Sequence, residues 1–151
     1  MTQEEKIAIA ETVRHRDRFG PVSQEELAAL SGKETELWIQ TKNGYCVHVF
    51  EERPEALPDR APILLNFHGG GFLKGRTDRE RRYCCAVMEA TNALVWDVDY
   101  SLAPEKPFPY AAEESYGIIQ YVFEHAEELC IDPEKIMLAG HSAGGNLVAS
   151  A

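Results

Sequence analysis

The hydrophobic pattern at the start of the chain is that of two short helices. Residues 3–18 are charged and weakly amphipathic, which predicts a helix that ends at Phe19-Gly20-Pro21. A second helix is predicted after Ser23, because Ser23 and Glu26 have the spacing of a capping box. Both segments contain few apolar residues, so we expect these helices to lie on other parts of the fold.

Beyond these helices the pattern changes to that of β-strands. Two segments, 37–40 and 45–50, flank Asn43-Gly44, which is a strong signal for a tight hairpin. Two apolar runs follow at 63–67 and 93–100. Uninterrupted runs of this length are typical of strands that are buried on both faces of a parallel sheet.

Two segments with a helical pattern lie between the later predicted strands. Residues 78–91 have a helical pattern, and a longer amphipathic helix is predicted over 110–129. The apolar residues that recur there every three or four positions are Ala112, Tyr116, Ile119, Phe123 and Ala126. A last short strand, 135–139, runs directly into a glycine-rich turn and another helix. Strands that alternate with helices predict an α/β fold with parallel βαβ units, in which reactive residues lie at the carboxyl ends of the strands.

Composition and charge then narrow the class of protein. Apolar residues make up 44% and charged residues 26% of the 151 residues, which is typical of one globular domain. The formal net charge of −10 argues against nucleic-acid binding, which depends on clustered Lys and Arg. The charged N-terminus lacks an apolar signal-peptide core and no apolar run approaches ~18 residues, so we expect a cytoplasmic protein without a membrane span. The four cysteines have no metal-ligand spacing and are interpreted as small buried hydrophobic residues.

The last strand runs into a short motif, Gly140-His141-Ser142-Ala143-Gly144, which fits the G-x-S-x-G pattern of a nucleophilic serine. A serine held on a sharp strand-to-helix turn needs small neighbours, and Gly140, Ala143 and Gly144 are small. The turn also places Ser142 at a helix N-terminus, where free N–H groups stabilise developing negative charge. On its own, the pattern also fits an ordinary glycine-rich turn that contains a serine.

A second glycine cluster, His68-Gly69-Gly70-Gly71-Phe72, directly follows the strand that ends at Phe67. Three successive glycines are costly in backbone entropy, which favours a functional interpretation over a flexible loop. An acyl-transfer enzyme needs backbone N–H donors for the oxyanion of its tetrahedral intermediate. Loops of the HGGG type supply such donors in lipases and esterases, together with the N–H of the residue after the nucleophile.

Three segments together resemble one family. The segments 68–72, 99–109 and 140–146 have the order and spacing found in the N-terminal half of the hormone-sensitive-lipase-like carboxylesterases, the fold-3 group of α/β-hydrolases. The resemblance covers the chain from about residue 36 to its end. It implies the α/β-hydrolase fold, with a mostly parallel sheet, an N-terminal hairpin and a small helical cap.

The resemblance also implies a role for each matching position. Ser142 corresponds to the nucleophile. The backbone donors of the oxyanion hole correspond to Gly70, Gly71 and Ala143. The residues that would support these two motifs are His68, Gly69, Asp99, Gly140 and Gly144. Neither His68 nor Asp99 corresponds to a member of the catalytic triad.

The chain departs from the family pattern at two positions and lacks two expected residues. His141 stands where the family usually has Asp, and Ser101 stands where it usually has Arg, which predicts the loss of a local salt bridge. In α/β-hydrolases the catalytic acid and histidine follow the serine along the chain. All five histidines precede Ser142, and none is predicted to be the base. We therefore expect both partners beyond residue 151, and interpret the chain as the N-terminal part of a longer protein whose sheet is incomplete at its C-terminus.

These observations predict two segments and one activity. Residues 1–34 are expected to form a helical cap segment, and residues 35–151 the N-terminal part of the α/β-hydrolase domain. The whole protein is predicted to cleave small-molecule carboxylic esters of short to medium acyl chain through an acyl-enzyme on Ser142, without a metal or organic cofactor. These residues alone should be nearly inactive, and homo-oligomerisation of the full-length protein stays open. The alternatives are a non-catalytic binding protein of the same fold and a deacetylase or amidase.

Overall fold

The computed structural model describes residues 1–16 and 20–151. Its helices and strands are, in chain order, α1 (Gln3–Arg14), α2 (Gln24–Ala28), β1 (Thr35–Gln40), β2 (Cys46–Glu52), β3 (Ala61–Phe67), α3 (Asp78–Thr91), β4 (Leu94–Asp99), α4 (Tyr110–Glu124), β5 (Ile131–Gly140) and α5 (Ala143–Ser150). The sequence predicts this order of a hairpin followed by strands and helices in alternation. None of the helices in the described ranges is both long and apolar enough to cross a bilayer.

The described strands form one sheet in the order β1-β2-β4-β3-β5. The pairs β1–β2 and β2–β4 are antiparallel, whereas β3 runs parallel to both β4 and β5. The predicted α/β class, with a mostly parallel sheet and an N-terminal hairpin, is therefore confirmed. Because β3 and β5 are parallel neighbours, their carboxyl ends at Phe67 and Gly140 lie side by side, and the two glycine motifs begin at the same edge of the sheet.

The hairpin is longer than the tight turn that Asn43-Gly44 predicts. The strands pair as far as Gln40 and Cys46, so residues 41–45 form the loop. The side-chain amide of Asn43 donates a hydrogen bond of 2.8 Å to the Glu113 carbonyl on α4. The longer loop thus holds the hairpin against the helix that covers this face of the sheet.

The core lies on both faces of β3 and β4, as their apolar runs predict. Ile63, Leu65 and Trp96 have no exposed surface. The Trp96 indole N–H donates to the Glu51 carboxylate at 2.8 Å, so the ring is buried without an unpaired donor. β5 is different, because no described strand pairs with its outer side and Met137 is 40% exposed.

Helix α3 has the predicted bounds, whereas α4 ends at Glu124, before the predicted residue 129. The buried face of α4 also differs from the prediction, since Tyr116 and Phe123 are 48% and 52% exposed. The buried positions are Glu114, Ser115, Gly117, Ile118 and Val122. Two contacts explain why this face is buried. Ser101 hydrogen-bonds the Glu114 carboxylate. Gly117 lies so close to the hairpin loop that a Cβ there would be 2.4 Å from a side-chain oxygen of Asn43.

The N-terminal helices contact other parts of the fold, as expected. The described part of α1 ends at Arg14, and residues 17–19, which the sequence assigns to the end of this helix, lie outside the described residues. The Arg14 guanidinium donates to the Leu73 carbonyl at 2.8 Å and to the Glu105 carboxylate at 2.6 Å. Arg14 therefore fastens α1 to the segment that follows the second glycine motif.

Helix α2 has the predicted capping box, in which Ser23 and Glu26 satisfy each other's backbone N–H groups. Glu26 also lies 3.2 Å from Arg82 on α3, which is the contact that ties α2 to the rest of the fold.

The interpretation of the cysteines as buried hydrophobic residues is wrong for two of the four. Cys84 and Cys85 on α3 are buried, but Cys46 and Cys130 are exposed because they lie at the end of an edge hairpin and in a turn. Burial raises the pKa of Cys85 to about 12, so this thiol stays protonated at neutral pH.

Candidate active site

Ser142 lies between the end of β5 and the start of α5 in a backbone conformation that is rare for a residue with a side chain. Its φ is 53° and its ψ is −118°. The Ser142 carbonyl accepts the N–H of Asn146 at 3.1 Å, which starts the helix directly after the serine. Strained conformations of this kind persist only where the surrounding structure enforces them, and they occur preferentially at functional sites. We call residues 140–144 the serine turn.

The serine turn packs against the end of β3 at contact distances that only glycine permits. A Cβ placed on Gly144 would lie 1.8 Å from the carbonyl oxygen of Phe67. A Cβ on Gly140 would lie 2.5 Å from the backbone of Gly144. Gly140 and Gly144, which the sequence analysis singled out, are therefore required by close backbone packing, and this packing fixes the serine turn beside the next motif.

That motif is the segment 68–72, which we call the HGGGF loop. Gly70 and Gly71 have φ values of 128° and 63°. The N–H groups of Leu73 and Lys74 both donate to the Gly70 carbonyl, at 3.2 and 3.1 Å, and this turn directs the loop away from the sheet. Among residues 1–16 and 20–151, no hydrogen bond uses the N–H groups of Gly70, Gly71 or Ala143. These three donors are the ones that the sequence assigns to an oxyanion hole.

His68 anchors the HGGGF loop from below. Its ring is fully buried and stacks on Tyr100 with 4.2 Å between ring centroids. The His68 Nδ1–H donates to the Gly69 carbonyl at 2.7 Å, and the Tyr100 hydroxyl donates to the His68 carbonyl at 2.7 Å. The His68 Nε2 lies 3.5 Å from Asp99 Oδ1, which is an electrostatic contact rather than a good hydrogen bond.

The contact with Asp99 shifts the pKa values of both His68 and Asp99. Burial alone lowers the pKa of His68, but the Asp99 carboxylate and the Gly69 carbonyl outweigh burial and raise the pKa above its usual value. Burial likewise raises the pKa of Asp99, yet its neighbouring histidines outweigh burial and hold that pKa below the usual value. Both shifts favour the ionised forms, and His68 and Asp99 each contribute to the shift of the other.

The second histidine at Asp99 is His48, which sequence reasoning placed only in the hairpin. His48 Nδ1 lies 3.2 Å from Asp99 Oδ2, and its ring stacks on Trp38 with 4.2 Å between centroids. His48 and Asp99 are direct partners in the antiparallel pairing of β2 with β4. The contact depends on that register, and no local sequence motif signals it.

The other histidines lie apart from this contact. His141, in the serine turn, is 65% exposed and lies 3.9 Å from the Glu80 carboxylate, with its ring against Gly69. His15 is exposed on α1. His125, which directly follows α4, is half-buried because its ring stacks on Tyr121 at 4.0 Å.

One departure from the family pattern has a local replacement. Ser101, which stands where Arg is usual, donates its backbone N–H and its hydroxyl to the Glu114 carboxylate at 2.7 and 2.6 Å. Glu114 is only 5% exposed, so these hydrogen bonds satisfy a buried acid that would otherwise be costly. The segment after β4 is thus held to α4 without the expected salt bridge.

Comparisons with known proteins agree with this geometry. A family profile described as alpha/beta hydrolase fold matches residues 64–151, the part of the chain that contains both glycine motifs. The chain belongs to the alpha/beta hydrolase fold family.

Relatives of this α/β-hydrolase include named esterases and lipases. It is 41% identical over 98 residues to the esterase LipI of Mycobacterium tuberculosis, covering 64% of this chain and 31% of that protein. It is 39% identical over 95 residues to human hormone-sensitive lipase, covering 63% of this chain and 9% of the lipase. A solved esterase of Pyrobaculum calidifontis superposes with a TM-score of 0.74 at 29% identity, covering 97% of this chain and 44% of that one. The chain thus spans less than half the length of these relatives.

Two cavities flank the HGGGF loop of this hydrolase. The first, which we call the apolar cavity, has a volume of about 700 Å³. Its apolar lining includes Phe72, Leu73, Phe108, Ala111 and Leu147. The second, which we call the cationic cavity, has a volume of about 370 Å³ and touches the loop at Gly69 and Gly70. Its charged lining consists of Arg14, Arg16, Lys74, Arg76, Arg79 and Glu80, with His141 at one side.

Proposed function

We propose that the whole protein is a serine hydrolase that cleaves carboxylic esters of short to medium acyl chain through an acyl-enzyme on Ser142. The observation that carries this proposal is the set of three N–H groups, at Gly70, Gly71 and Ala143, that no hydrogen bond within the described residues uses. They belong to two segments that the contact between Gly144 and Phe67 holds together. Donors held in place in this way stabilise the oxyanion at no further cost of reorganisation.

The proposed reaction follows the order of serine hydrolases. The Ser142 hydroxyl attacks the ester carbonyl while a base takes its proton, and the backbone N–H groups hold the oxyanion. The tetrahedral intermediate expels the alcohol, which receives the proton, and water then releases the acyl group from Ser142 by the same steps. The positive φ of Ser142 and the start of α5 at Ala143 support the serine as the attacking group.

The base and the orienting acid are proposed to come from sequence that follows Ala151. The relatives with similar sequences are longer, and in α/β-hydrolases both partners follow the serine. Loss of the histidine from a serine triad lowers turnover by a factor on the order of 10⁶. The oxyanion hole and substrate binding alone still accelerate the reaction ~10³–10⁴-fold over water. Residues 1–151 alone are therefore proposed to be nearly inactive.

Residues 1–34 are proposed to form a cap segment over the hydrolase part, which begins near residue 35. The support for this division is the docking of α1, since Arg14 reaches the Leu73 carbonyl and Glu105 beside the HGGGF loop. The apolar cavity is proposed to hold the acyl chain, because Phe72 and Leu147 place apolar surface next to Gly71.

The test uses the protein expressed from its complete gene. We expect hydrolysis of 4-nitrophenyl esters with acyl chains of about two to eight carbons, falling for longer chains. Ser142→Ala should abolish turnover, whereas Ser31→Ala, at an exposed serine that lines neither cavity, should leave it unchanged. Turnover that survives Ser142→Ala would overturn the nucleophile. A faster reaction with matched anilides or acetylated sugars would replace the esterase by an amidase or deacetylase, and no turnover of any of them would favour the binding protein.

A further inference from the structure

The cationic cavity beside the HGGGF loop is unusual for a chain whose formal net charge is −10. Among the residues that the structure describes, its lining contributes five Arg or Lys side chains and one carboxylate, that of Glu80. Charges of one sign that surround a concave site reinforce one another, because the low-dielectric walls concentrate the field. A cavity of this kind next to the proposed oxyanion hole therefore needs a chemical explanation.

Arg14 and Arg76 in this lining pair with carboxylates outside the cavity. Arg14 pairs with Glu105 at 2.6 Å and also with Glu11. Arg76 pairs with Asp97 at 2.5 Å and with Glu34. These two side chains serve the fold, and their charges contribute little to the field in the cavity.

The charges of Arg16 and Lys74 are not neutralised in this way. Within the described ranges, neither side chain lies within 4.0 Å of a carboxylate, and the Lys74 ammonium donates only to the Arg16 carbonyl. The carboxylate of Glu80 is partly engaged, since it accepts the Thr77 N–H at 3.0 Å as part of the cap of α3. Arg16 and Lys74 therefore contribute positive charge to the described lining of the cavity.

Lys74 is also close to the reacting centre. A Cβ built on Gly70 would lie only 2.8 Å from the Lys74 Cβ, so the lysine stem begins in contact with the HGGGF loop. The Lys74 N–H donates to the Gly70 carbonyl at 3.1 Å, which fixes the lysine backbone relative to the loop. A group bound by Lys74 would thus lie within a few carbon atoms of a carbonyl held at Gly70.

We propose that the cationic cavity binds an anionic group of the substrate, a carboxylate separated from the ester carbonyl by a few carbon atoms. This inference rests on the proposed esterase function. Arg and Lys are the side chains that bind carboxylates, through charge-assisted hydrogen bonds. With the apolar cavity on the other side of the loop, the substrate class is an ester with an apolar part on one side of the ester bond and a carboxylate on the other.

The experiment compares esters that differ only in that charge. One pair, monoethyl glutarate and its carboxamide analogue, places the charge on the acyl side. A second pair, 3-acetoxybenzoate and 3-acetoxybenzamide, places it on the alcohol side. The measured quantity is the ratio of kcat/KM for the anionic ester to that for the neutral ester, determined with the protein from its complete gene.

We expect this ratio to fall about three- to tenfold for at least one pair in the double variant Arg16→Gln/Lys74→Gln, which is the size of effect that partly exposed ion pairs produce. Lys33→Gln removes an exposed lysine that does not line the cavity and should leave the ratio unchanged. In the unmodified protein the same ratio should fall as NaCl rises from about 0.05 to 0.5 M, because salt screens exposed charges. The salt series tests the proposal even if the double variant folds poorly.

The outcomes separate the two proposals. An unchanged ratio in the double variant and across the salt series, with normal hydrolysis of the neutral esters, would overturn the anion site and leave the esterase function in place. Absence of hydrolysis of all four esters, together with failure of Ser142 to react with a fluorophosphonate, would overturn the proposed function and this inference with it. A fall for the alcohol-side pair alone would agree with an acyl chain in the apolar cavity. A fall for the acyl-side pair alone would keep the anion site but would move the acyl chain from the apolar cavity to the cationic one.

Discussion

The serine turn and the HGGGF loop are both rich in glycine, but Gly144 in the turn and Gly71 in the loop are required for different reasons. In the serine turn the reason is space, because a Cβ on Gly144 would lie 1.8 Å from the Phe67 carbonyl oxygen. At Gly71 of the HGGGF loop a Cβ would meet nothing within 4 Å, and the requirement is the backbone angle, with φ of 63°. Glycine thus permits close packing of the serine turn on β3 at Gly144, whereas at Gly71 it permits the bend of an exposed loop.

This difference predicts how the two motifs respond to substitution. A side chain in the serine turn pushes the end of β3 away from α5, and since β3 is buried on both faces the cost falls on the stability of the fold. A side chain in the HGGGF loop changes the direction of N–H groups that make no hydrogen bond within the described residues, so the cost falls on activity.

The largest effect on stability is expected for Gly144→Ala. Because the added Cβ would overlap the Phe67 carbonyl, we expect the free energy of unfolding to fall by about 3–5 kcal/mol, as for other severe clashes in a packed core. Gly145→Ala is the matched control, since its Cβ would lie 3.2 Å from the Gly140 carbonyl and alanine favours the helix. Urea unfolding should show a change of less than about 1 kcal/mol for the control. Equal losses in the two variants would contradict the role of the close contact.

In the HGGGF loop the larger effect of substitution should be on activity. In Gly70→Ala the Cβ would lie 2.5 Å from the Lys74 carbonyl oxygen at a φ of 128°, so the loop must move. We expect kcat to fall about 10²–10³-fold, the usual cost of a lost oxyanion donor, with a loss of stability smaller than that of Gly144→Ala because the partly buried loop can move. Gly44→Ala in the hairpin loop is the control, because it meets open space away from both cavities and an alanine at its positive φ costs only about 1–2 kcal/mol. A Gly70→Ala protein with normal turnover would remove Gly70 from the oxyanion hole.

A smaller, pH-dependent effect on stability is expected for the contact between His68 and Asp99 below the HGGGF loop. The raised pKa of His68 means that its stabilising contribution is complete below the usual histidine pKa of about 6.5 and is lost as the pH rises through the raised value. The lowered pKa of Asp99 means that its own contribution is lost only in acid, as the pH falls through the lowered value. Asp99→Asn should therefore destabilise the protein by about 1–3 kcal/mol near pH 6, and by less near pH 9.

The matched control for this prediction is Asp59→Asn, which removes an exposed carboxylate far along the chain from the loop. Denaturant unfolding at the two pH values gives the comparison. A loss for Asp99→Asn that is the same at both would mean that His68 is neutral and that Asp99 acts only by packing.

The parts of the fold that the sequence predicts are those with a local signal. Helix α3 has its predicted bounds because Thr77 and Glu80 form a capping box at its start and Asn92 ends it in the left-handed conformation. The buried face of α4 was mispredicted, since apolar spacing pointed to Tyr116 and Phe123. The structure instead turns Glu114 inward, because Ser101 satisfies its carboxylate, and that partner is separated in sequence.

The candidate active site shows the same contrast between features with a local sequence signal and features that depend on long-range contacts. Ser142 and the glycines are read from contiguous motifs, whose backbone requirements are local. His48 was not connected with Asp99, because their contact follows from the register of β2 on β4. The cationic cavity was also missed, since Arg14 and Lys74 come together only when α1 docks on the segment after the HGGGF loop. Charge patterns along the sequence do not show which cations keep a carboxylate partner in the fold.

The most direct test of the central claim, that Ser142 is a nucleophile beside a working oxyanion hole, is covalent labelling. The protein from its complete gene is treated with a fluorophosphonate, and the site is located by peptide mass spectrometry. We predict one adduct per chain on Ser142, no adduct in Ser142→Ala and full labelling of Ser31→Ala, whose serine lines neither cavity. An unlabelled Ser142 in folded protein, or an adduct that persists in Ser142→Ala, would contradict the account.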